Sequence, residues 1–430
     1  MSDASLGAPR DARIAIVGAG HAGGRVAQHL RALGHRGEIA LIGDEAHAPY
    51  ERPALSKELL LGEKTPADLT LAPAGFWEDN TQTSACATPT RRYRARARRV
   101  FADPLGEHRA IELDDANSTR VDFDTLVVAT GGKARMPRID GIDQPGVHSL
   151  RTIDDCLALR EALAGARDIV IIGAGVIGME VAAAAAKLGK HATVLETAAR
   201  PMARILPPPV SDWLAGVHRA HGVTIETGVA VTHIERTAAR RFAVHVDGVS
   251  GAHTCDLVLV AAGIECSVDF LEGTSIASVD GIVVDACCRS PVAPWCYAAG
   301  DIAVAYNGRF GRMLRQETWR NAENQARAVA GFICGRVEPF NETPWMWTDQ
   351  FGFNIQVIGR PEANHRFVTR GDIGAGPATL VALDGDYVSG AVLIDCGRNR
   401  RALEALIEAK TPVDRARLAD AAVPLKEVAR

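Results

Sequence analysis

Short apolar runs that end in glycine alternate along this chain with alanine- and leucine-bearing helical stretches. Residues 13–17 (Arg13-Ile14-Ala15-Ile16-Val17) read as a buried strand. They run into Gly18-Ala19-Gly20-His21-Ala22-Gly23, and a helix follows to about residue 33. A second strand at 39–42 ends at Gly43-Asp44-Glu45. The order recurs later. A strand at 169–172 enters Gly173-Ala174-Gly175-Val176-Ile177-Gly178, a helix runs through Glu180 to 188, and a strand at 192–195 ends at Glu196. Residues 169–186 are apolar enough to raise the question of a bilayer span. Gly173, Gly175, Gly178 and Glu180 interrupt them, so strand, turn and helix is the better reading.

Each copy is a βαβ unit with a glycine fingerprint and an acidic residue roughly 20 positions on. One GxGxxG is weak evidence, but two complete copies, each after a strand and each with its acid, are strong. The first glycine permits a tight turn and the second lets a pyrophosphate approach the backbone. The third lets helix and strand pack closely. Phosphates then meet free N–H groups at a helix N-terminus. Two such sites imply two dinucleotides, which in oxidoreductases are usually FAD and a nicotinamide cofactor.

Two further apolar runs read as returns to the first site: 125–132 (TLVVATGG) and 257–263 (LVLVAAG). A third short strand closes on Gly300-Asp301 in 295–301. From about residue 335 the texture changes, with Trp345, Trp347, an alternating strand at 353–357 and a late helix at 398–409. The expected fold is α/β, with two Rossmann-like dinucleotide-binding domains, one inserted in the other, and a C-terminal α+β domain. The expected boundaries are 12–132 with 257–335 for an FAD domain, 133–256 for an NADH domain and 336–430 for the C-terminal domain.

The length of 430 residues suits about three domains. With 47% hydrophobic and 23% charged residues, the composition is that of a soluble globular protein. A net charge of −4 lacks the strongly basic balance of a nucleic-acid binder. The arginine run at 91–99 alternates, and a solvated edge strand explains it better than a nucleic-acid patch. The first twelve residues carry no basic segment followed by an apolar one, so no signal peptide is expected. Nine cysteines (Cys86, Cys156, Cys255, Cys266, Cys287, Cys288, Cys296, Cys334 and Cys396) form no CxxC pair and no zinc spacing. They fit reduced thiols in the cytoplasm, with no metal site and no membrane association expected.

With these residues assembled, the chain resembles the oxygenase-coupled NADH-dependent ferredoxin reductases. This group includes putidaredoxin reductase and the ferredoxin reductases of biphenyl and toluene dioxygenases, on the flavoprotein fold of glutathione reductase. The segments that carry the resemblance are GDEAHAPYERPALSKELL (43–60), LVVATGG (126–132), GAGVIGMEVA (173–182), YAAGD (297–301), ETWRNAENQA (317–326) and PWMWTDQ (344–350). The resemblance implies FAD contacts at Gly18, Gly20, Ala22 and Gly23 in the first turn and at Asp44 near the adenosine ribose. It further implies them at Arg52, Ser56 and Lys57 near the flavin, at Ala129, Thr130 and Gly131, and at Arg135. Gly263, Gly300, Asp301, Glu317, Thr318 and Trp319 complete the implied cofactor set. For NADH it implies Gly173, Gly175, Ile177 and Gly178, with Glu196 on the adenosine ribose. Glu180 corresponds to an acid beside Lys57 at the flavin–nicotinamide junction, and the two form the implied catalytic pair. His21 departs from the pattern, and either a phosphate contact or an idle solvent-facing histidine is open at this point. Ala54 replaces a common proline.

Disulfide reductases of the wider fold carry a CxxxxC pair beside the flavin, but residues 44–62 here contain no cysteine. Nor is there a cysteine set for an iron–sulfur cluster. The expected activity is NADH to FAD to an external [2Fe–2S] ferredoxin serving an oxygenase, by a monomer or homodimer. The alternatives are a rubredoxin reductase, a monodehydroascorbate reductase or an interaction protein like apoptosis-inducing factor. An arginine-rich segment from 309 to 327, around Trp319, is the expected docking face.

Overall fold

Glycine-ended apolar runs become parallel strands, and they build two separate sheets. The computed structural model describes residues 10–77, 90–102, 108–239, 241–248, 250–278, 280–336 and 338–430, so Cys86 and most of the N-terminal segment lie outside the described residues. The chain divides into two compact units, each assembled from three segments.

The first unit contains the chain up to Pro53, Thr65–Lys133 and Glu265–Glu342. Its main sheet has the order Cys296–Ala298, Thr125–Val128, Ile14–Val17, Ile39–Gly43, Thr90–Arg94. All four pairings are parallel. The central strands are apolar on both faces because both faces are covered. On one face the helices His21–Ala32 and Trp319–Ile333 bury Val26, Leu30, Ala326 and Val329 against Ile14, Ile16 and Val127. On the other, Val17, Ile42 and Val128 share a core with Val100, Ile111 and Phe123. The arginine run splits at Ala95. Thr90–Arg94 is the edge of the main sheet, and Arg96–Ala102 begins a three-stranded antiparallel sheet. Arg91, Arg94, Arg96, Arg98 and Arg99 are exposed, as a solvated edge requires. Arg92 instead donates to the Glu45 carbonyl at 2.7 Å.

The second unit contains Ala54–Lys64, Ala134–Ile264 and Thr343–Arg430. Its parallel sheet runs Thr224–Thr227, His191–Glu196, Asp168–Ile172, Leu257–Val260, Val147–Ser149. This corrects one expectation. The strand at 257–260 does not return to the first sheet; it pairs with Ile169–Ile172 in register Ile169↔Leu257. It is the counterpart of Thr125–Val128, which pairs with Ile14–Val17 in register Ile14↔Thr125. The repeat therefore includes a third strand, and Gly263 follows the second sheet. Apolar character alone cannot say which of two similar sheets a buried strand joins. A small antiparallel sheet of Val231–Arg236, Phe242–Val246 and Ala252–Cys255 covers one face, with Phe242 and Val244 in its core.

Residues from Trp345 onward form a five-stranded antiparallel sheet, ordered Trp345–Gln350, Phe353–Gly359, Tyr387–Ile394, Ala378–Asp384, Arg366–Arg370. The late helix spans Arg400–Ala409 and buries Leu403, Leu406 and Ile407. No described helix is long and apolar enough to cross a membrane.

Candidate functional site

In the first unit the glycine turn is built by close backbone approach. Gly18 sits at φ +110°, and a Cβ there would lie 2.2 Å from the Ala129 carbonyl oxygen and 2.6 Å from the Thr130 nitrogen. A Cβ on Gly23 would lie 1.9 Å from the Gly18 oxygen. Gly20 caps the helix His21–Ala32 with no side-chain cap and no acid in its first turn. Its first N–H groups, which have no intrahelical partner, are left for an anion. A Cβ on Gly20 would stand 3.3 Å from an Arg52 guanidinium nitrogen, and one on Gly300 3.1 Å from the Ala22 Cβ. Thus Gly18, Gly20, Ala22, Gly23, Arg52, Ala129, Thr130 and Gly300 converge on one cradle.

Arg52 is fixed. Its Nη2 donates to Glu45 Oε1 at 2.6 Å, and the Tyr50 hydroxyl donates to Glu45 Oε2 at 2.6 Å. Burial works against its charge, but Tyr50, Glu45 and Asp301 outweigh burial and raise its pKa. The result is a permanent cation beside Gly20. Glu45, which supports it, was not singled out from sequence. Asp44 accepts from Arg96 Nε at 2.7 Å. Thr130 donates to the Ser267 carbonyl at 2.8 Å, and Gly300 N–H to Gln325 Oε1 at 2.8 Å. Thr318 caps the helix Trp319–Ile333, accepting from Asn321 N–H, while Glu317 pairs with Arg315 at 2.7 Å.

His21 is not the idle solvent-facing histidine that was one of its two sequence readings. It is only 8% exposed, its Nε2 meets Glu323 Oε2 at 2.9 Å, and its ring lies 5.4 Å from that of Trp319. Its Nδ1 is also buried. It ties the two helices of this unit together. Burial opposes ionisation of Glu323, but His21, His29 and Arg25 hold its carboxyl far below the usual range.

The second unit repeats the geometry. Gly173 sits at φ +107°, with a Cβ position 2.6 Å from the Ala261 oxygen, and a Cβ on Gly178 would lie 2.0 Å from the Gly173 oxygen. Gly175 caps Val176–Lys187 without a side-chain cap, and its own Cβ position is open. Glu196 closes the turn from the adjacent strand, accepting from Ala174 N–H at 2.7 Å and Ala198 N–H at 2.8 Å. Ile177 projects at the helix start as an exposed apolar side chain. Gly263 follows the strand Leu257–Val260, and Arg135 donates its backbone N–H to the Gly263 carbonyl at 2.9 Å. Arg135 and Gly263 therefore belong to this unit.

Lys57 and Glu180 also belong to the second unit and do meet, Nζ to Oε1 at 3.6 Å. Lys57 is also 3.7 Å from Asp349 Oδ2, and its Nζ lies 5.7 Å from the centre of the Trp347 ring. Glu180 is buried and accepts from the hydroxyls of Ser56 and Thr348, the latter at 2.6 Å. Burial pushes its pKa up, while Lys57 and the two hydroxyls pull the other way. The chain of bonds continues inward. Gln350 Nε2 donates to Thr348 Oγ1 at 2.9 Å, and His218 Nε2 donates to Gln350 Oε1 at 2.7 Å. Thr348, Asp349, Gln350 and His218 were missed from sequence. The alternation within WTDQ was the available signal: Trp347 and Asp349 reach Lys57, while Thr348 and Gln350 are buried.

His218 is fully buried, and burial pushes its pKa down to about 4. Because the folded value is depressed, the unfolded state binds the extra proton first. Stability is complete above about pH 6.5 and falls as pH drops toward 4, by about 3 kcal/mol in all. Denaturant unfolding at pH 7 and pH 4.5 checks this. His218→Gln should show a smaller loss than the parent, whereas equal losses would contradict the assignment.

The described cysteines are all free thiols. Cys156, which donates to the Leu55 carbonyl, is buried and its pKa is pushed up to about 11. Both cradles fit a dinucleotide pyrophosphate, because they combine backbone N–H donors with glycine positions that a Cβ would fill.

Residues 12–326 match the pyridine nucleotide-disulphide oxidoreductase family, and residues 345–429 match a reductase C-terminal domain. The chain is 34% identical to rhodocoxin reductase of Rhodococcus erythropolis, over 96% of this chain and 93% of that one. It is 36% identical to the ferredoxin–NAD(+) reductase component of the p-cumate 2,3-dioxygenase system of Pseudomonas putida, over 97% and 98%. Among solved structures it is similar to the ferredoxin reductase for the CYP199A2 system of Rhodopseudomonas palustris. The TM-score is 0.89 at 31% identity, covering 98% of this chain and 100% of that one. With two glycine cradles, a C-terminal reductase sheet and these end-to-end likenesses, the chain is an oxidoreductase that belongs to the pyridine nucleotide-disulphide oxidoreductase family, in the branch that includes ferredoxin–NAD(+) reductases.

Proposed function

We propose that the chain passes electrons from NADH, through bound FAD, to a [2Fe–2S] ferredoxin that serves an aromatic-ring dioxygenase or a cytochrome P450. The observation that carries this reading is a pair of complete dinucleotide cradles in a chain whose segment 44–62 holds no cysteine. Electrons that leave the flavin have no disulfide in that segment to enter, and the described cysteines are free thiols, which supports an external acceptor.

FAD, when bound, supplies two-electron acceptance and one-electron release. The chain's residues bind and orient. Arg52 and the free N–H groups after Gly20 hold the FAD pyrophosphate. Glu196 receives the adenosine ribose hydroxyls of NADH, and its charge disfavours a 2′-phosphate. Ser56, Thr348 and Glu180 hold the Lys57 ammonium in one place. No acid–base residue is required for hydride transfer. Free thiols at the described cysteines agree with a reducing cytoplasm.

The docking face is assigned to the arginines around Trp319. Of these, Arg315 is paired with Glu317, while Arg320 and Arg327 lean on Glu342. Arg309 donates to the Asn341 carbonyl. Arg312 and Arg327 are exposed and Arg309 is half-buried, and an acidic ferredoxin would be steered by this group. The double variant Arg309→Glu, Arg327→Glu should lower ferredoxin-dependent turnover roughly tenfold or more at low salt. NADH–ferricyanide reduction should persist, because ferricyanide needs no docking surface. Parental ferredoxin turnover at low and high salt would place the electron exit elsewhere.

A further inference from the structure

We propose that His233, Glu235 and His245 form a binding site for a divalent transition-metal ion on the small antiparallel sheet of the second unit. His233 and His245 stand directly opposite each other on the strands Val231–Arg236 and Phe242–Val246. Directly opposed side chains on one face of such a pair are close neighbours. Their rings are stacked, with centroids 3.9 Å apart and planes 9° from parallel. Glu235 is two positions beyond His233 and so shares its face. Its Oε1 lies 3.1 Å from His245 Nε2. One ligand atom from each residue falls within 4.8 Å of the other two, and among the described residues no other such group of three occurs.

The local backbone favours this convergence. The ladder slips between Val231 and His233, and such bulges re-aim side chains. On a tetrahedral ion with metal–nitrogen bonds of about 2.0–2.1 Å, ligand atoms are roughly 3.4 Å apart. Half-exposed side chains close the remaining gap by rotation. Two imidazoles and one carboxylate suit zinc, copper or nickel and not magnesium or calcium. His245 is 27% and Glu235 59% exposed, so the ion keeps an open position for water. Thiols do not compete: Cys255, in the neighbouring strand, is buried with its pKa pushed up to about 12. The ion would cross-link two strands and stabilise the second unit. None of its three ligands belongs to either cradle.

The test uses the untagged, flavin-loaded protein and zinc chloride. Calorimetric titration should show one Zn2+ per chain, not displaced by excess magnesium. The thermal midpoint should rise with zinc concentration. His233→Asn and His245→Asn should each weaken binding about tenfold or more, and the milder Glu235→Gln should weaken it measurably. Cu2+ at one equivalent should show electron-paramagnetic couplings to two imidazole nitrogens. Absence of zinc binding, unchanged affinity in the histidine variants, or copper coupled to fewer than two nitrogens would overturn the assignment.

Discussion

Alanine at Gly23 is expected to leave the protein colourless. The added methyl would stand 1.9 Å from the Gly18 carbonyl oxygen and 3.1 Å from its carbon, both backbone atoms of the turn itself. Gly18 cannot retreat, because its own Cβ position is already 2.2 Å from the Ala129 oxygen. The helix must therefore lift off the strand, and overpacking of this kind costs about 1–3 kcal/mol or more. Lifting also withdraws the helix N-terminus from the pyrophosphate, so flavin affinity falls with the packing. The ratio of flavin to protein absorbance after purification measures it, with FAD titration of the purified variant as the quantitative check. Gly216→Ala is the control. It lies inside the helix Pro208–Ala220 with open space around it, and it should keep its flavin and gain about 0.5–1 kcal/mol. In the second copy, Gly178→Ala meets the Gly173 oxygen at 2.0 Å. It should retain flavin and lose NADH binding. A yellow Gly23→Ala protein with parental FAD affinity would refute the cradle.

Removal of the Glu196 carboxylate is the second large effect. This side chain accepts two backbone N–H groups, one in the glycine turn and one after the strand. In the proposed role it also receives the ribose hydroxyls. Hydrogen bonds to a charged group are each worth about 1.5–3 kcal/mol. Glu196→Ala should therefore lower kcat/KM for NADH roughly a hundredfold. NADPH should lose much less, because the repulsion of its 2′-phosphate disappears with the carboxylate. The preference for NADH over NADPH should thus narrow. Arg200 lies near and keeps one guanidinium nitrogen on the Leu206 carbonyl at 3.2 Å. Equal proportional losses with both nucleotides would mean that Glu196 only braces the turn.

Much of this was legible because the repeat is written in glycines. Gly18 and Gly23, and their partners Gly173 and Gly178, are required by backbone approach, and that constraint survives in the sequence as residue type; Gly20 and Gly175 leave the two helix N-termini without a side-chain cap. The Lys57–Glu180 pair was legible only through the family resemblance, since nothing in the spacing of residues 123 apart brings them together. What escaped was partnership. Leu257–Val260 is as apolar as any strand of the first sheet, and only three-dimensional pairing assigns it to the second. Arg135 follows the first copy's glycines in sequence, yet the unit boundary at Lys133 puts it with Gly263. The buried line from His218 through Gln350 and Thr348 to Glu180 joins three distant segments, each polar residue tolerated because the next one satisfies it. His21 looked like a departure at the phosphate site. Its partner Glu323 is 302 positions away.

The most direct measurement mixes the purified reductase, NADH and a [2Fe–2S] ferredoxin of an oxygenase system under anaerobic conditions and follows the ferredoxin spectrum. The account predicts that catalytic reductase brings about two equivalents of ferredoxin reduced per NADH consumed, at a rate that falls as salt is raised. If a panel of such ferredoxins stays oxidised while the same protein still reduces ferricyanide with NADH, the ferredoxin reductase reading is contradicted.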